Sequence, residues 1–163
     1  MEGLIADWNR LHSQGSLVLS SMDSIREQQE AAIGLSQQQG RRNKATDPQF
    51  LETNRDVSHR LVQSLYEVMH ESVGVMTHKC DEMLSVVNAM QVLARDALSK
   101  QSEYWMWIDA LMSGYRRETL CKFEVIDQLD LHSIRVSLAR WEVMEFMDYR
   151  LETAMHDSLS LAQ

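Results

Sequence analysis

Hydrophobic residues between positions 62 and 97 recur at the spacing of an α-helix, with steps that alternate between three and four residues. This seam comprises Val62, Leu65, Met69, Val73, Met76, Cys80, Met83, Val87, Met90, Ala94 and Ala97. Such steps keep one stripe of side chains on one side of a helix, as in a helix that packs along another. The pattern predicts a long helix over residues 49–100, about 75 Å in length at ~1.5 Å per residue.

A second seam lies near the N-terminus and predicts a helix in the segment 1–35, from about Leu4 to Leu35. Its residues are Leu4, Trp8, Leu11, Gly15, Val18, Met22 and Ile25. Glycine weakens a helix interior, so Gly15 indicates a close helix approach or a small kink. Residues 36–48 are polar, bounded by glycine and without periodicity, which predicts a flexible linker. Asp47 and Pro48 supply the cap and first position of the long helix.

The segment 101–163 is rich in aromatic residues and predicts a C-terminal antiparallel helical hairpin. Ser102 is a good N-cap for a third helix, and Ser133 for a fourth that runs from Ile134 to the C-terminus. The stripe of the third helix is Trp105, Ile108, Met112, Tyr115, Thr119, Lys122, Ile126 and Leu129. Each helix would have about 27 residues. The predicted fold is therefore all-α: an elongated helical or coiled-coil bundle with one long central helix and this hairpin.

Methionine is unusually frequent, with eleven residues, and four of them fall in the seam of the long helix: Met69, Met76, Met83 and Met90. Methionine is unbranched and adapts to irregular gaps, so these residues could fill the chain's own core or meet a partner. Both interpretations stay open, and we treat the four as candidate partner contacts.

Trp105 and Trp107 are the other distinctive candidates. Two residues apart on a helix, their side chains point about 200° from each other. They therefore cannot both enter one seam: either the hairpin packs on two sides or one tryptophan faces a partner. Tryptophan contributes strongly to binding energy at interfaces.

The patterns of common catalytic and metal sites fail in this sequence. Glu67 and His70 have the Glu-x-x-His spacing of di-iron bundles, but no other helix repeats it. His70-Glu71 would begin a zinc-protease pattern, but position 74 is glycine. No phosphate-binding glycine loop or Gly-x-Ser-x-Gly is present. We therefore expect a non-enzyme without cofactor or metal.

Charge and segment composition bear on partners and location. The net charge of −8 argues against direct nucleic-acid binding, and the basic run from Arg41 to Lys44 lies in the predicted linker. No signal peptide is apparent, and no apolar run reaches the ~20 residues that span a bilayer. Cys80 and Cys121 read as buried, reduced thiols. We expect no membrane contact and a nuclear or cytoplasmic location.

One stretch resembles a known family. Residues Tyr115 to Lys122 (YRRETLCK) are similar to the Tyr-Arg-Lys-Glu-x-Leu-x-Lys stretch of the cyclin-dependent kinase 2-interacting protein family. Tyr104-Trp105 precedes this stretch, and the runs 137–141 (SLARW) and 150–152 (RLE) follow it. Residues 6–11 (ADWNRL) resemble the family's first helical segment. The chain departs from the family by lacking an extended insert before the hairpin and a proline after Trp141.

The resemblance implies a non-catalytic adapter linked to cell-cycle kinases, DNA replication and the checkpoint. It also implies an assembly with AAA+ ATPases in ribosome maturation and replisome turnover, where the family pairs with a second helical subunit. The candidate partner-binding residues in the hairpin are Trp105, Trp107, Tyr115, Arg116, Arg117 and Trp141.

Two other classes of protein stay open. The same helices could serve as spacers in a coiled-coil subunit of a kinetochore, spindle or tethering complex. A metal-binding four-helix enzyme is the more distant alternative.

Overall fold

The computed structural model describes residues 1–42, 48–98, 105–130, 133–147, 150 and 153, with side chains for 1–34, 56–95, 108–130, 133–147, 150 and 153. Four helices occupy most of these ranges: α1 (Glu2–Arg42), α2 (Pro48–Leu98), α3 (Trp105–Asp127) and α4 (Ile134–Glu142). The described residues contain no strand. The all-α fold is confirmed.

The two long helices keep their predicted positions, with one difference. Helix α2 begins at Pro48 and ends at Leu98, close to the predicted 49–100. Helix α1 continues to Arg42, through residues assigned to the linker. Ser36 and the three glutamines after it do not break a helix, and Gly40 alone costs only about 1 kcal/mol relative to alanine. The rest of the predicted linker, 43–47, lies outside the described residues.

The seam of α2 lies in the core of the chain. Seven of its members are buried: Met69, Met76, Cys80, Met83, Val87, Met90 and Ala94. Trp8, Leu11 and Met22 of α1 are buried in the same core. Burial raises the pKa of the Cys80 thiol to about 12, so this side chain is an unreactive apolar group.

Helices α3 and α4 cover the remaining side of this core. Helix α1 packs against α2 and α4, and α3 packs against α2 and α4. Arg135 of α4 ties the helix to α1: its Nε lies 2.8 Å from the Asp23 carboxylate, and its Nη2 donates to the Glu27 carboxylate. In the described part of the chain, no helix is both long and apolar enough to cross a membrane.

The predicted fourth helix from Ile134 to the C-terminus is not continuous: it breaks at residues 143–147, Arg150 and Thr153 are again helical, and the other residues from 148 onward lie outside the described part of the chain. Helix α4 has nine residues, and Val143 is extended, with φ −72° and ψ 128°. Residues 143–147 are not helical. The apolar stripe continues through Met144 and Met147, so periodicity alone does not reveal the break. Its cause is a side chain of α3 that binds the carbonyl groups at the end of α4.

Candidate functional site

Three aromatic rings form a stack at the junction of α1 and α4. The imidazole of His12 lies parallel to the indoles of Trp8 and Trp141, with centroid distances of 5.6 and 5.9 Å. His12 Nε2 donates to the Trp141 carbonyl at 2.9 Å, and Trp141 Nε1 donates to the His12 carbonyl at 3.0 Å. These reciprocal bonds fix α4 to α1 at one register. We call Trp8, His12, Trp141 and the edge-on Tyr115 the aromatic cluster.

An ion pair of α3 lies buried beneath this cluster. Glu118 and Lys122 are one helical turn apart, with Lys122 Nζ 2.6 Å from the Glu118 carboxylate. The side chains of Glu118 and Lys122 are 2% and 1% exposed, so groups of this chain, and not water, must stabilise both charges. The Lys122 ammonium also lies 5.6 Å from the centroid of the Trp141 ring, in cation–π geometry.

The buried pair explains where α4 ends. Lys122 Nζ donates to the carbonyl of Trp141 and, at 2.8 Å, to the carbonyl of Val143. The last carbonyls of a helix lack intrahelical partners and favour a nearby cation. On the other side of the turn, the backbone N–H of Phe146 donates to the Glu118 carboxylate at 3.2 Å. Lys122 and Glu118 thus replace the helical hydrogen bonds at this point.

Two glycines make room for this arrangement. A Cβ at Gly15 would lie 2.1 Å from Cζ2 of Trp141, so only glycine lets the indole lie against α1. A Cβ at Gly114 would lie 2.7 Å from the backbone oxygen of Phe146. The sequence prediction of a close approach at Gly15 is confirmed.

The chemistry of the aromatic cluster is that of a rigid core. Burial lowers the pKa of His12, the nearby Lys122 charge lowers it further, and the bond to the Trp141 carbonyl opposes both. His12 is therefore neutral at physiological pH. Trp8 Nε1 donates to the Thr119 hydroxyl at 2.9 Å, which satisfies the second indole. Among the described residues, no group of three or more His, Cys, Asp or Glu is placed to hold a metal ion.

A second apolar stripe of α2 remains uncovered after the chain has folded. Val57, Leu61, Val68 and Val75 follow steps of four, seven and seven residues. Their exposures are 60%, 48%, 42% and 46%. Residues seven apart lie on the same side of a helix, so these four form one line beside the buried seam. We call this line the α2 stripe.

An open cleft separates α3 from α4 and the turn after it. Its volume is about 370 Å³, and its apolar lining includes Val125, Val136, Val143 and Phe146. Three of these are exposed hydrophobic side chains: Val136 at 60%, Val143 at 49% and Phe146 at 39%. We call this feature the α3–α4 cleft.

The predicted partner-binding residues fall into three groups. Tyr115, Trp141 and the four methionines Met69, Met76, Met83 and Met90 are 0% exposed. A partner could reach them only if the helices separated, and their packing matches the core interpretation of the methionine seam. Arg116 and Arg117 are exposed on α3. Trp105 and Trp107 begin α3, and their side chains lie outside the described residues.

Sequence reasoning missed the two exposed apolar surfaces and the buried ion pair. The steps of four and seven in the α2 stripe are visible in the sequence. The more regular seam beside the stripe accounts for an amphipathic helix by itself, so the second stripe was not recognised. Lys122 was placed correctly on the α3 stripe; a lysine there with glutamate four residues earlier is the signal of a buried pair. The α3–α4 cleft depends on the break after Glu142, which the sequence does not reveal.

No protein-family model matches this chain, and no curated protein matches it significantly.

Proposed function

We propose that this protein is a non-catalytic helical adapter that pairs with a second helical subunit through the α2 stripe. The observation that carries the proposal is the stripe itself, with four exposed aliphatic side chains in one line on the longest helix. An exposed apolar line at this spacing is the surface on which an amphipathic helix packs.

The free energy gained by burying the α2 stripe can be compared with the cost of association. Burying the exposed half of an aliphatic side chain contributes about 1 kcal/mol, so the four residues supply roughly 4 kcal/mol from this side. A similar contribution comes from the partner, and association costs remove ~4–15 kcal/mol. The stripe therefore selects a helical partner, and a stable complex needs a further contact elsewhere on the chain.

The resemblance to the cyclin-dependent kinase 2-interacting protein family favours one setting for this adapter. In that setting the complex docks on an AAA+ ATPase, with links to cell-cycle kinases, DNA replication and ribosome maturation, in the nucleus or cytoplasm. The resemblance rests on residues 6–11, 115–122 and 137–141. Arg116 and Arg117 are among the residues of these stretches that are exposed, so a partner can reach them.

Affinity purification with mass spectrometry, from cells expressing tagged chain, tests the proposal. The stripe variant is Leu61→Glu/Val68→Glu. The control is His59→Glu/His70→Glu, which adds the same charge at exposed positions on the opposite side of α2. A helical subunit and an AAA+ ATPase should be recovered with wild type and control, and lost with the stripe variant.

Two results would change the conclusion. Recovery of kinetochore, spindle or tethering components in place of the ATPase would support the coiled-coil spacer alternative. Retention of every partner by the stripe variant would show that the α2 stripe is not the docking surface.

A further inference from the structure

The α3–α4 cleft combines an apolar floor with a negative rim. Glu124 and Glu145 are exposed at its edge, and neither has an ion-pair partner among the described residues. The cation of the lining, Arg140, donates to the side-chain oxygen of Gln128 at 2.9 Å. Arg140 forms no ion pair with either glutamate, and the two rim carboxylates outnumber this one cation, so the rim keeps a net negative charge.

The thiol of Cys121 lies at the same edge of the cleft. Burial raises its pKa, and the charges of Glu118, Glu124 and Glu145 raise it further. Since Glu118 already binds Lys122 and Phe146, the two exposed glutamates are the carboxylates open to a ligand. A cation near Cys121 would find a favourable field.

We infer that the α3–α4 cleft binds a peptide segment of a partner protein, with an aliphatic side chain in the cleft and lysine or arginine beside the rim glutamates. The volume of about 370 Å³ suits one or two aliphatic side chains. The exposed Val136, Val143 and Phe146 supply the apolar contacts, and Glu124 and Glu145 select the flanking charge. An acidic or purely polar segment satisfies neither part of the surface.

The backbone after α4 keeps the cleft preformed. Lys122 holds the Val143 carbonyl, and Glu118 holds the Phe146 N–H, so both exposed apolar walls are tied to α3. A preformed pocket avoids part of the ordering cost of binding. This inference rests on the proposed adapter function and supplies the further contact that the α2 stripe requires.

Fluorescence anisotropy with the full chain tests the inference. The probe is a labelled twelve-residue peptide of alternating lysine and leucine, and a glutamate-for-lysine peptide is the comparison. The cleft variant is Glu124→Lys/Glu145→Lys. The control variant, Asp81→Lys/Asp109→Lys, makes the same charge change at exposed positions outside the cleft lining.

The lysine peptide should bind wild type saturably, and the glutamate peptide should not. Binding should weaken about tenfold more in the cleft variant than in the control, since direct rim contacts exceed long-range charge effects. Val136→Ser should also weaken binding several-fold without changing helicity, because this side chain is mostly exposed. In a methyl NMR spectrum, the peptide should shift Val136 and Val143.

No saturable binding to wild type, or equal weakening in the cleft and control variants, would overturn the inference. Neither result bears on the α2 stripe, whose variants carry no change in α3 or α4. Loss of helical partner binding in the Leu61→Glu/Val68→Glu chain, together with unchanged peptide binding, would separate the two surfaces.

Discussion

Gly15→Ala should destabilise the protein, although alanine is the better helix former. The substitution gains about 1 kcal/mol of helix propensity. Its Cβ, however, would lie 2.1 Å from Cζ2, 2.6 Å from Cε2 and 3.0 Å from Cη2 of Trp141. The indole cannot move easily, because it donates to the His12 carbonyl at 3.0 Å and stacks on the His12 ring.

The size of the effect follows from these terms. Overpacking in a core costs ~1–3 kcal/mol, and so short a contact belongs at the upper end. After the gain in helix propensity, Gly15→Ala should lose about 2 kcal/mol. For a chain of 163 residues this lowers the melting temperature by about 4–8 °C, at ~2–4 °C per kcal/mol.

Gly74→Ala is the matched control. Gly74 also lies within a helix, and apart from its chain neighbours and the nearby backbone of α2, no atom lies within 4 Å of the position of its added Cβ. Here the helix propensity acts alone, so the variant should be more stable by ~0.5–1 kcal/mol. Thermal unfolding followed by circular dichroism at 222 nm compares the two variants with wild type.

A further variant tests the assigned cause. In a Trp141→Phe background the ring is smaller, so Gly15→Ala should cost less than in wild type, and the two effects should not add. If Gly15→Ala were as stable as wild type, or if the two substitutions were additive, the close contact between α1 and Trp141 would be refuted.

Three further predictions concern the aromatic cluster and its surroundings. Trp141→Ala should lower the free energy of unfolding by about 3–5 kcal/mol, because it truncates a core side chain. Arg116→Ala should leave helicity and the melting temperature unchanged and weaken only partner binding, by roughly 1–3 kcal/mol. Circular dichroism measures the first effect and a pull-down the second. Glu118→Gln should lower the free energy of unfolding by ~3–5 kcal/mol, because it leaves the Lys122 charge buried without its counter-ion. Adding Lys122→Met should recover part of this loss, as measured by urea unfolding. A double variant no more stable than Glu118→Gln alone would count against the ion pair. Folding lowers the pKa of His12, so as the pH falls the imidazole is protonated in the unfolded chain before it is protonated in the folded one. The contribution of the neutral His12 to the free energy of unfolding is therefore fully present above pH ~6.5, the pKa of an unperturbed histidine, and is lost as the pH falls below that value. The loss between pH 7.5 and 5.5 should be smaller in His12→Gln than in wild type, and equal losses would contradict the neutral, buried state.

The helices and the main seam could be read from the sequence because both depend on local periodicity. Met69, Met76, Met83 and Met90 lie seven residues apart and share one side of α2 in any straight helix. Gly15 was also readable, because a glycine in an otherwise regular seam indicates close packing. These features need no knowledge of which helix is the partner.

The end of α4 and the α3–α4 cleft could not be predicted for the opposite reason. The stripe through Trp141, Met144 and Met147 continues at helical spacing, so local preference favours a longer helix. The competing bonds come from Lys122 and Glu118, which are distant in sequence from the residues they bind. Tertiary contacts override local propensity here.

The face of α2 that meets the partner is the central claim, and site-specific photo-cross-linking tests it most directly. A photoreactive benzoylphenylalanine replaces Val68 on the α2 stripe in one chain and His70 on the opposite side in the other. Ultraviolet irradiation of the two affinity-purified complexes is followed by mass spectrometry. We predict that the chain altered at Val68 cross-links to the co-purified helical subunit and the chain altered at His70 does not. Cross-linking to that subunit from position 70 but not from position 68 would contradict the proposed docking surface.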